Sequence, residues 1–215
     1  MKKIILFFIL FLAQFVFVSP CFAIKIGLVD GADKVYIGTS SSGQIVNARS
    51  NKLLYNINKM KAYELRAFNH SIAIKINNDY YDLETNYAVI KPCGDGFISV
   101  KGKWYRGFFI VYNRDGKLVI INKVEIEDYI KGVVPSEMPS GWCHEAHKAQ
   151  AVAARSYALA NLGKRASHGY DLKDTPEDQA YGGASAERTC TNNAVKETED
   201  IVLIYNLKID RKSVV

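Results

Sequence analysis

A single glutamate stands out among the residues that could do chemistry. Glu137 lies between Pro135 and Pro139 and beside Met138, directly after a segment with helical periodicity. Because proline restricts its own backbone and that of the residue before it, we expect residues 135–139 to form a sharp, ordered turn that fixes this carboxyl. A carboxyl kept neutral can protonate a glycosidic oxygen as a general acid. A lone glutamate in a turn is more often a cap or a solvated side chain, so the pattern alone indicates catalysis only weakly.

Other reactive side chains give weaker indications. His144 and His147 have a helical spacing that suits two metal ligands, but no third ligand is near and the sequence lacks His-Glu-x-x-His. We therefore expect structural or surface histidines and predict no metal. Cys143 and His144 are adjacent in a predicted helix and do not face each other as a nucleophile and base would. Ser136 and Ser156 lack the Gly-x-Ser-x-Gly context of serine hydrolases, and no phosphate-binding glycine loop predicts a nucleotide cofactor.

The elements that position Glu137 fall into two halves. Residues 24–123 favour strands: 34–38 and 71–77 alternate apolar and polar side chains. Residues 107–112 and 117–122 flank a four-residue turn that ends in glycine, which predicts a hairpin. We expect this half to be a scaffold without chemistry of its own.

The second half is predicted to be helical around the candidate acid. Residues 125–134 have a helical apolar spacing, and the alanine-rich segment 143–162 predicts a long helix. Residues 164–193 are polar and suit a loop that lines a cleft. Residues 194–199 indicate a short helix, and 201–205 a buried strand. The predicted fold class is α+β, with a strand-rich N-terminal half and a helical catalytic segment packed on a mixed sheet.

The first 23 residues have the layout of a secretory signal peptide. Lys2 and Lys3 precede an apolar run, and small residues occupy the −3 and −1 positions of a cut after Ala23. If uncleaved, this segment could anchor the protein, and it is the only predicted membrane contact. Its removal leaves a net charge of +4, which suits an anionic surface such as the cell wall. No basic stripe interleaved with aromatics predicts nucleic-acid binding.

Three cysteines remain after that cut, namely Cys93, Cys143 and Cys190. Their odd number allows at most one internal disulfide, which an exported protein could form. The spacing does not select a pair, and all three could equally be buried thiols.

Four linked segments resemble the signature of the SpoIID/LytB family, the stage II sporulation protein D group. The segments are 121–139, which ends in Val-Val-Pro-Ser-Glu-Met-Pro; 148–158, Lys-Ala-Gln-Ala-Val-Ala-Ala-Arg-Ser-Tyr-Ala; Asp174-Thr175 with Gln179-Ala-Tyr-Gly182; and 194–198 with the strand to Asn206. Together they cover about residues 103–206. We expect a signal peptide over 1–23, a strand-rich part over 24–102, and a SpoIID-like domain over 103–215 that is truncated at its C-terminus.

The resemblance implies an exported protein that acts on peptidoglycan at the cell-wall side of the envelope. The sporulation member of the family is a lytic transglycosylase that cleaves glycan strands stripped of stem peptides, and we expect that activity of the full-length form. Other members enhance an N-acetylmuramoyl-L-alanine amidase, which makes a non-catalytic enhancer of a cell-wall amidase the alternative. The resemblance places the catalytic acid at Glu137 and suggests that Arg155, Tyr157, Gln179 and Tyr181 line the glycan groove.

Two features of the resemblance concern other ligands and acids. Some family members hold zinc in this loop; His168 matches the first ligand, but Lys173, Glu177 and Asp178 occupy the later positions and do not suit zinc. We therefore expect a loop that is ordered without zinc. Asp174 is the nearest candidate for a second acid. A reaction that forms a 1,6-anhydro bond does not need one, because a single carboxyl can act first as acid and then as base.

Overall fold

The computed structural model describes residues 22–209. The predicted signal peptide therefore lies outside the described residues, apart from Phe22 and Ala23. Within the described range, no helix is both long enough and apolar enough to cross a bilayer.

Strands occupy the first part of the described chain. Their bounds are β1 (Ala23–Ala32), β2 (Lys34–Thr39), β3 (Gly43–Asn47), β4 (Leu53–Ile57), β5 (Tyr63–Phe68), β6 (Ser71–Ile76), β7 (Asp79–Asp82), β8 (Tyr87–Pro92), β9 (Ile98–Val100), β10 (Lys103–Tyr105), β11 (Phe108–Arg114) and β12 (Lys117–Glu125). The alternating segments near residues 34 and 71 are β2 and β6, and the predicted hairpin is β11–β12, as expected.

Helices dominate the rest. The elements are α1 (Ile126–Glu137), α2 (His144–Ala160), β13 (Leu172–Lys173), α3 (Thr189–Glu197), β14 (Ile204–Tyr205) and β15 (Lys208–Ile209), with single 3₁₀ turns at Ala166–His168 and Gly183–Ser185. The predicted α+β class is confirmed.

The strands form two large sheets. One is mixed, in the order β13-β1-β12-β11-β8-β3-β4, with β13 parallel to β1 and the other neighbours antiparallel. The other is antiparallel, in the order β10-β9-β2-β5-β6-β7. Strands on both sides of residue 102 pair with each other in both sheets. The strand-rich half is therefore continuous with the strands that lead into α1.

One buried cluster joins the two sheets and the three helices. Its members include Ile26 of β1, Ile74 of β6, Ile120 of β12, Val133 of α1, Ala154 of α2 and Val195 of α3. A smaller cluster of Ile110, Val119, Ile121 and Tyr170 covers the opposite face of the mixed sheet. Strand alternation places successive residues of β12 in the two clusters. The helices that carry the candidate site thus pack on one face of a sheet that is covered on both sides.

The structure corrects the prediction of a turn over residues 135–139. Helix α1 continues through Pro135 and ends at Glu137. The missing N–H of this proline removes one hydrogen bond two residues before the helix end, so the cost is confined to the last turn. The Ser136 hydroxyl donates to the Gly132 carbonyl at 2.8 Å, and the Met138 N–H donates to the Val134 carbonyl at 3.0 Å. Met138 is then extended, as a residue before proline should be.

Two further expectations near the C-terminus were wrong. The short helix begins at Thr189 and ends at Glu197, earlier than predicted, and the strand near residue 201 is reduced to Ile204–Tyr205. Both residues of that strand are exposed. Among residues 22–209 the strand pairs only with β15, so no larger sheet buries it.

Candidate active site

Glu137 is the last residue of α1, and its side chain is exposed. Its Oε1 accepts a 2.5 Å hydrogen bond from the Ala180 N–H. The helix dipole favours cations at a helix C-terminus, so local helix stability does not account for an acid at this position. The carboxylate is held by the loop opposite it.

That loop, residues 174–183, is docked on α1 through its backbone. The Gly182 N–H donates to the Gly132 carbonyl at 3.2 Å, and the Tyr181 N–H donates to the Asp174 carbonyl at 3.2 Å. A Cβ added at Gly132 would lie 2.6 Å from the Tyr181 ring. The helix therefore needs a glycine here, despite its low helix propensity, for the loop to come close enough to reach Glu137.

Buried tyrosines fix the underside of the loop. Tyr181 donates to Asn122 Oδ1 at 3.0 Å, and the Asn122 amide donates to the carbonyls of Arg106 and Phe108 at 2.9 and 3.3 Å. The rings of Tyr181 and Tyr129 lie 4.8 Å apart. Burial, followed by the charge of neighbouring groups, raises the pKa of both phenols well above their ordinary value, so both remain hydrogen-bond donors.

Gln179 completes this buried layer. Its Oε1 accepts from the Tyr129 hydroxyl at 3.2 Å, and its Nε2 donates to the Ala154 carbonyl at 3.3 Å. Gln179 is 6% exposed and Tyr181 is 2% exposed. The structure therefore brings both predicted groove residues next to Glu137, but beneath the surface, where they support the loop.

Arg155 is also buried, and it contacts Glu127 in the first turn of α1, whereas Glu137 ends that helix. Its guanidinium binds both carboxylate oxygens of Glu127, at 2.6 and 2.7 Å. It also donates to the carbonyls of Ile201 and Val195, at 2.9 and 3.4 Å. With 1% exposure, this residue ties α1, α2, α3 and the following segment together. The geometry gives it a structural role in the described chain.

Tyr157 is the most accessible of the four predicted groove residues. It is half-buried on α2, and its hydroxyl accepts from Lys164 Nζ at 3.0 Å. The same ammonium binds Asp178 at 2.6 Å. Burial raises the pKa of the Tyr129 phenol, and the negative charges of Asp178, Glu137 and Asp174 add to this effect.

Asp174 is the second acid of this region. Its side chain is half-buried, and loss of water raises the pKa of its carboxyl above the ordinary value, although Lys101, Lys103 and Lys173 attract the ionised form. The Ala180 N–H donates to the Glu137 carboxylate, and the next N–H along the chain, that of Tyr181, donates to the backbone carbonyl of Asp174. The two acids are thus anchored to consecutive residues of one loop, through a side chain in one case and a backbone carbonyl in the other.

The motifs around these acids match a known family. Residues 114–205 fit the family model described as Stage II sporulation protein, SpoIID. This stretch is a SpoIID-family region. The resemblance predicted from the four motifs is confirmed.

Curated relatives of this SpoIID region include three bacterial proteins. The chain is 39% identical over 118 residues to an uncharacterized protein of Brachyspira hyodysenteriae. It is 36% identical over 143 residues to the amidase enhancer of Bacillus subtilis, and 34% identical over 101 residues to stage II sporulation protein D of the same organism. The matches cover 54%, 62% and 40% of this chain, and 31%, 19% and 29% of the relatives. The chain therefore spans about a fifth to a third of the length of these relatives.

Ion pairs order the SpoIID-region loop that follows α2. The Asp178 carboxylate is fully buried and accepts from Lys164 Nζ, Arg165 Nε and the Lys173 N–H, at 2.6, 2.5 and 2.7 Å. Glu177 binds Arg165 and Lys173 at 3.2 and 2.8 Å. Burial opposes ionisation of Asp178, but the hydrogen bonds from Arg165 and Lys164 outweigh it and lower the pKa.

The histidines of the region do not converge. His144 binds Glu197 at 3.0 Å, whereas His147 is buried and its Nε2 lies 3.1 Å from the Pro139 carbonyl. Since a carbonyl only accepts, His147 donates from Nε2. His168 lies beside Asp30, apart from the Asp178 ion pairs. Across residues 22–209, no three His, Cys, Asp or Glu side chains form a metal-binding group. Cys93, Cys143 and Cys190 are free and exposed, not buried thiols.

Several residues that build the site were not found from the sequence. Asn122, Tyr129, Gly132 and Ala180 hold the loop against α1. One signal was available for Gly132, because a glycine inside an apolar helical pattern often marks a close approach. The contact made by the Ala180 N–H could not be predicted from the sequence, because every residue except proline has this group.

Proposed function

We propose that this protein acts on peptidoglycan in the cell envelope and cleaves glycan strands stripped of stem peptides, as a lytic transglycosylase with Glu137 as the acid. The observation that carries the proposal is the exposed carboxyl at the end of α1, held by the Ala180 N–H inside a SpoIID-family region. The name of one relative, stage II sporulation protein D, supports the family but specifies no reaction.

The reaction needs one group that first gives and then takes a proton. Protonated Glu137 donates its proton to the glycosidic oxygen, and the bond from that oxygen to the muramic acid C1 breaks. The resulting carboxylate accepts the proton of the C6 hydroxyl, whose oxygen bonds to C1 and closes a 1,6-anhydro ring. No water enters the product. A bound glycan would cover the exposed carboxyl and exclude water from the reacting atoms.

The hydrogen bond from Ala180 orients the carboxyl for both steps. The N–H binds Oε1, which leaves Oε2 free to carry the transferred proton. Tyr157 and the cations near Asp174 lie around the same loop and offer donors to sugar hydroxyls and carboxylates. We propose Tyr157 as a direct glycan contact, and Arg155, Gln179 and Tyr181 as supports of the groove.

Export and domain layout are part of the same proposal. The signal-peptide pattern of residues 1–23 supports delivery to the cell-wall side of the membrane. Residues 24–102 would act as a strand-rich support for residues 103–215.

A non-catalytic role is the second candidate function. It is favoured by the 36% identity to a protein named amidase enhancer. In that role the protein would bind the glycan or a cell-wall amidase, and the Glu137 carboxyl would be a contact group only.

One experiment separates the two functions. Wild type and Glu137→Gln are incubated with peptide-free glycan strands, and in parallel with intact wall plus a cell-wall amidase. We expect wild type to release anhydro-ended fragments and Glu137→Gln to release none, with equal amidase stimulation by both. No fragments from wild type, together with stimulation of the amidase, would contradict the enzyme and support the enhancer.

A further inference from the structure

A groove that is built like a binding site begins on the face of the mixed sheet that points away from the helices and extends to residues beside β6 and β7 of the other sheet. It consists of two adjoining cavities, of about 350 and 480 Å³, which share Arg49 and Asn86 in their linings. These volumes fall within the usual range of small-molecule sites, roughly 300–1,000 Å³. Glu137 lines neither cavity.

The floor of the groove is aromatic. Tyr87 of β8 and Tyr112 of β11 are paired across the two strands, and their rings lie 6.0 Å apart with a 52° tilt. Both are half-buried and rest on the small cluster around Ile121. The Tyr112 hydroxyl donates to the His168 carbonyl at 2.6 Å, so this ring is fixed in place.

Hydrogen bonds between asparagine side chains and the backbone also hold the walls of the groove in place. Asn113 donates to the carbonyls of Asn69 and Ser71 at 3.1 and 2.6 Å, which ties the other sheet to β11. Asn47 accepts from the N–H groups of Arg49 and Ser50 at 2.9 and 3.0 Å. The turn that carries Arg49 is therefore formed before any ligand arrives.

The Arg49 side chain is free to bind a ligand in the part of the chain that the structure describes. Within residues 22–209, no hydrogen bond, ion pair or ring contact reaches its guanidinium, and the residue is exposed. Asn86, exposed beside it, offers an amide donor and acceptor. The acids of the groove, Asp82 and Glu84, line the second cavity together with His70, away from the aromatic floor. An anionic group is thus favoured near Arg49 and the tyrosines and disfavoured at the other end.

We propose that this groove binds a carboxylate-bearing, N-acetylated glycan, with a sugar ring on Tyr87 and Tyr112 and its carboxylate on Arg49. An aromatic floor offers apolar contact to the face of a pyranose ring, and the Asn86 amide matches an acetamido group. A guanidinium binds a carboxylate through two parallel hydrogen bonds. A peptide-free N-acetylmuramic acid residue carries a pyranose ring, an acetamido group and a carboxylate. The choice of ligand rests on the proposed function, but the site lies apart from Glu137 and would hold the strand while a distant bond is cut.

The test measures binding without cleavage. The protein carrying Glu137→Gln is titrated by calorimetry with a peptide-free tetrasaccharide of alternating N-acetylglucosamine and N-acetylmuramic acid, and separately with an N-acetylglucosamine tetramer. Arg49→Gln and Tyr87→Ala are each added to this background. Arg66→Gln, on the other sheet, is the matched control. Thermal unfolding checks that every variant is folded.

We expect Arg49→Gln to weaken binding of the muramic acid ligand about tenfold, as loss of a charge-assisted hydrogen-bond pair predicts, and to leave the tetramer unaffected. Tyr87→Ala should weaken both ligands, and Arg66→Gln neither. Equal affinities of the parent and both groove variants, or no binding by the parent, would overturn the proposal. A loss with Arg49→Gln that is the same for both ligands would overturn the carboxylate assignment. If the groove variants weaken binding but wild type cuts no glycan, the binding proposal holds and the cleavage proposal fails. The two proposals can therefore fail separately.

Discussion

The carboxylate of Glu137 and the backbone N–H of Ala180 meet in a 2.5 Å hydrogen bond across 43 residues of chain. This contact joins the end of α1 to the loop 174–183. The position of the candidate acid therefore depends on how closely that loop approaches the helix, and Gly132 controls that approach.

Gly132→Ala should disturb the site from within the helix. The new methyl group would lie 2.6 Å from the Tyr181 ring and 3.0 Å from the Gly183 carbonyl. Alanine favours the helix by up to about 1 kcal/mol, but overpacking costs about 1–3 kcal/mol. We expect a net loss of stability in urea unfolding and a loss of glycan cleavage. Gly141→Ala is the control, because a Cβ there meets nothing within 4 Å. Equal stabilities of the two variants would mean that the loop is not held by this contact.

Arg155→Met should act through folding. It leaves the Glu127 carboxylate and two carbonyls without their partner, and removal of one member of a buried ion pair costs about 3–5 kcal/mol. Addition of Glu127→Gln should recover part of this loss in a double-mutant cycle. Arg49→Met should change the free energy of unfolding by less than about 0.5 kcal/mol. A stable Arg155→Met protein that had lost glycan affinity would instead favour the direct substrate contact suggested by the family resemblance.

The sequence predicted the parts of this fold that depend on local patterns. Alternation located β2 and β6, and the glycine at the end of the turn located the β11–β12 hairpin, where Asp115 and Gly116 have positive φ angles. The continuation of α1 past Pro135 was missed, because a hydroxyl bond from Ser136 and tertiary packing keep the last turn helical.

The roles of the site residues depend on contacts that are distant in sequence. Glu137 was identified from its motif, but its partner is a backbone group. Arg155 is expected from the resemblance to line the glycan groove, because its motif does not reveal that its partners lie 28, 40 and 46 residues away. Local patterns could not indicate that this cation is buried.

Asp174→Asn should stabilise the protein at neutral pH. Burial raises the pKa of the Asp174 carboxyl above 3.8, so the folded protein holds this proton more tightly than the unfolded chain. The stabilisation that this bound proton provides is complete below pH 3.8, and it is lost as the pH rises through the folded-state pKa. Ionised Asp174 therefore costs stability at pH 7, and the neutral asparagine does not. Urea unfolding over a pH series should show an advantage of the variant that grows from acid to neutral pH; a constant or reversed difference would contradict this account.

Asp178→Asn should have the opposite pH dependence. Because the folded-state pKa of Asp178 lies below 3.8, its contribution is present above that pH and is lost as the pH falls through the folded-state pKa. Loss of the buried carboxylate leaves Lys164, Arg165 and the Lys173 N–H with weaker acceptors. We expect a cost of about 2–4 kcal/mol at neutral pH that shrinks in acid, measured by the same unfolding series. If Asp178→Asn leaves the free energy of unfolding unchanged at pH 7, these ion pairs do not order the loop.

Cleavage of peptide-free glycan in heavy-oxygen water tests the central claim about Glu137 most directly. Because the C6 hydroxyl closes the ring, mass spectrometry of the wild-type products should find anhydromuramic ends that carry no heavy oxygen, and Glu137→Gln should give no products. Reducing ends labelled with heavy oxygen, or undiminished cleavage by Glu137→Gln, would contradict a lytic transglycosylase that uses Glu137 as its acid.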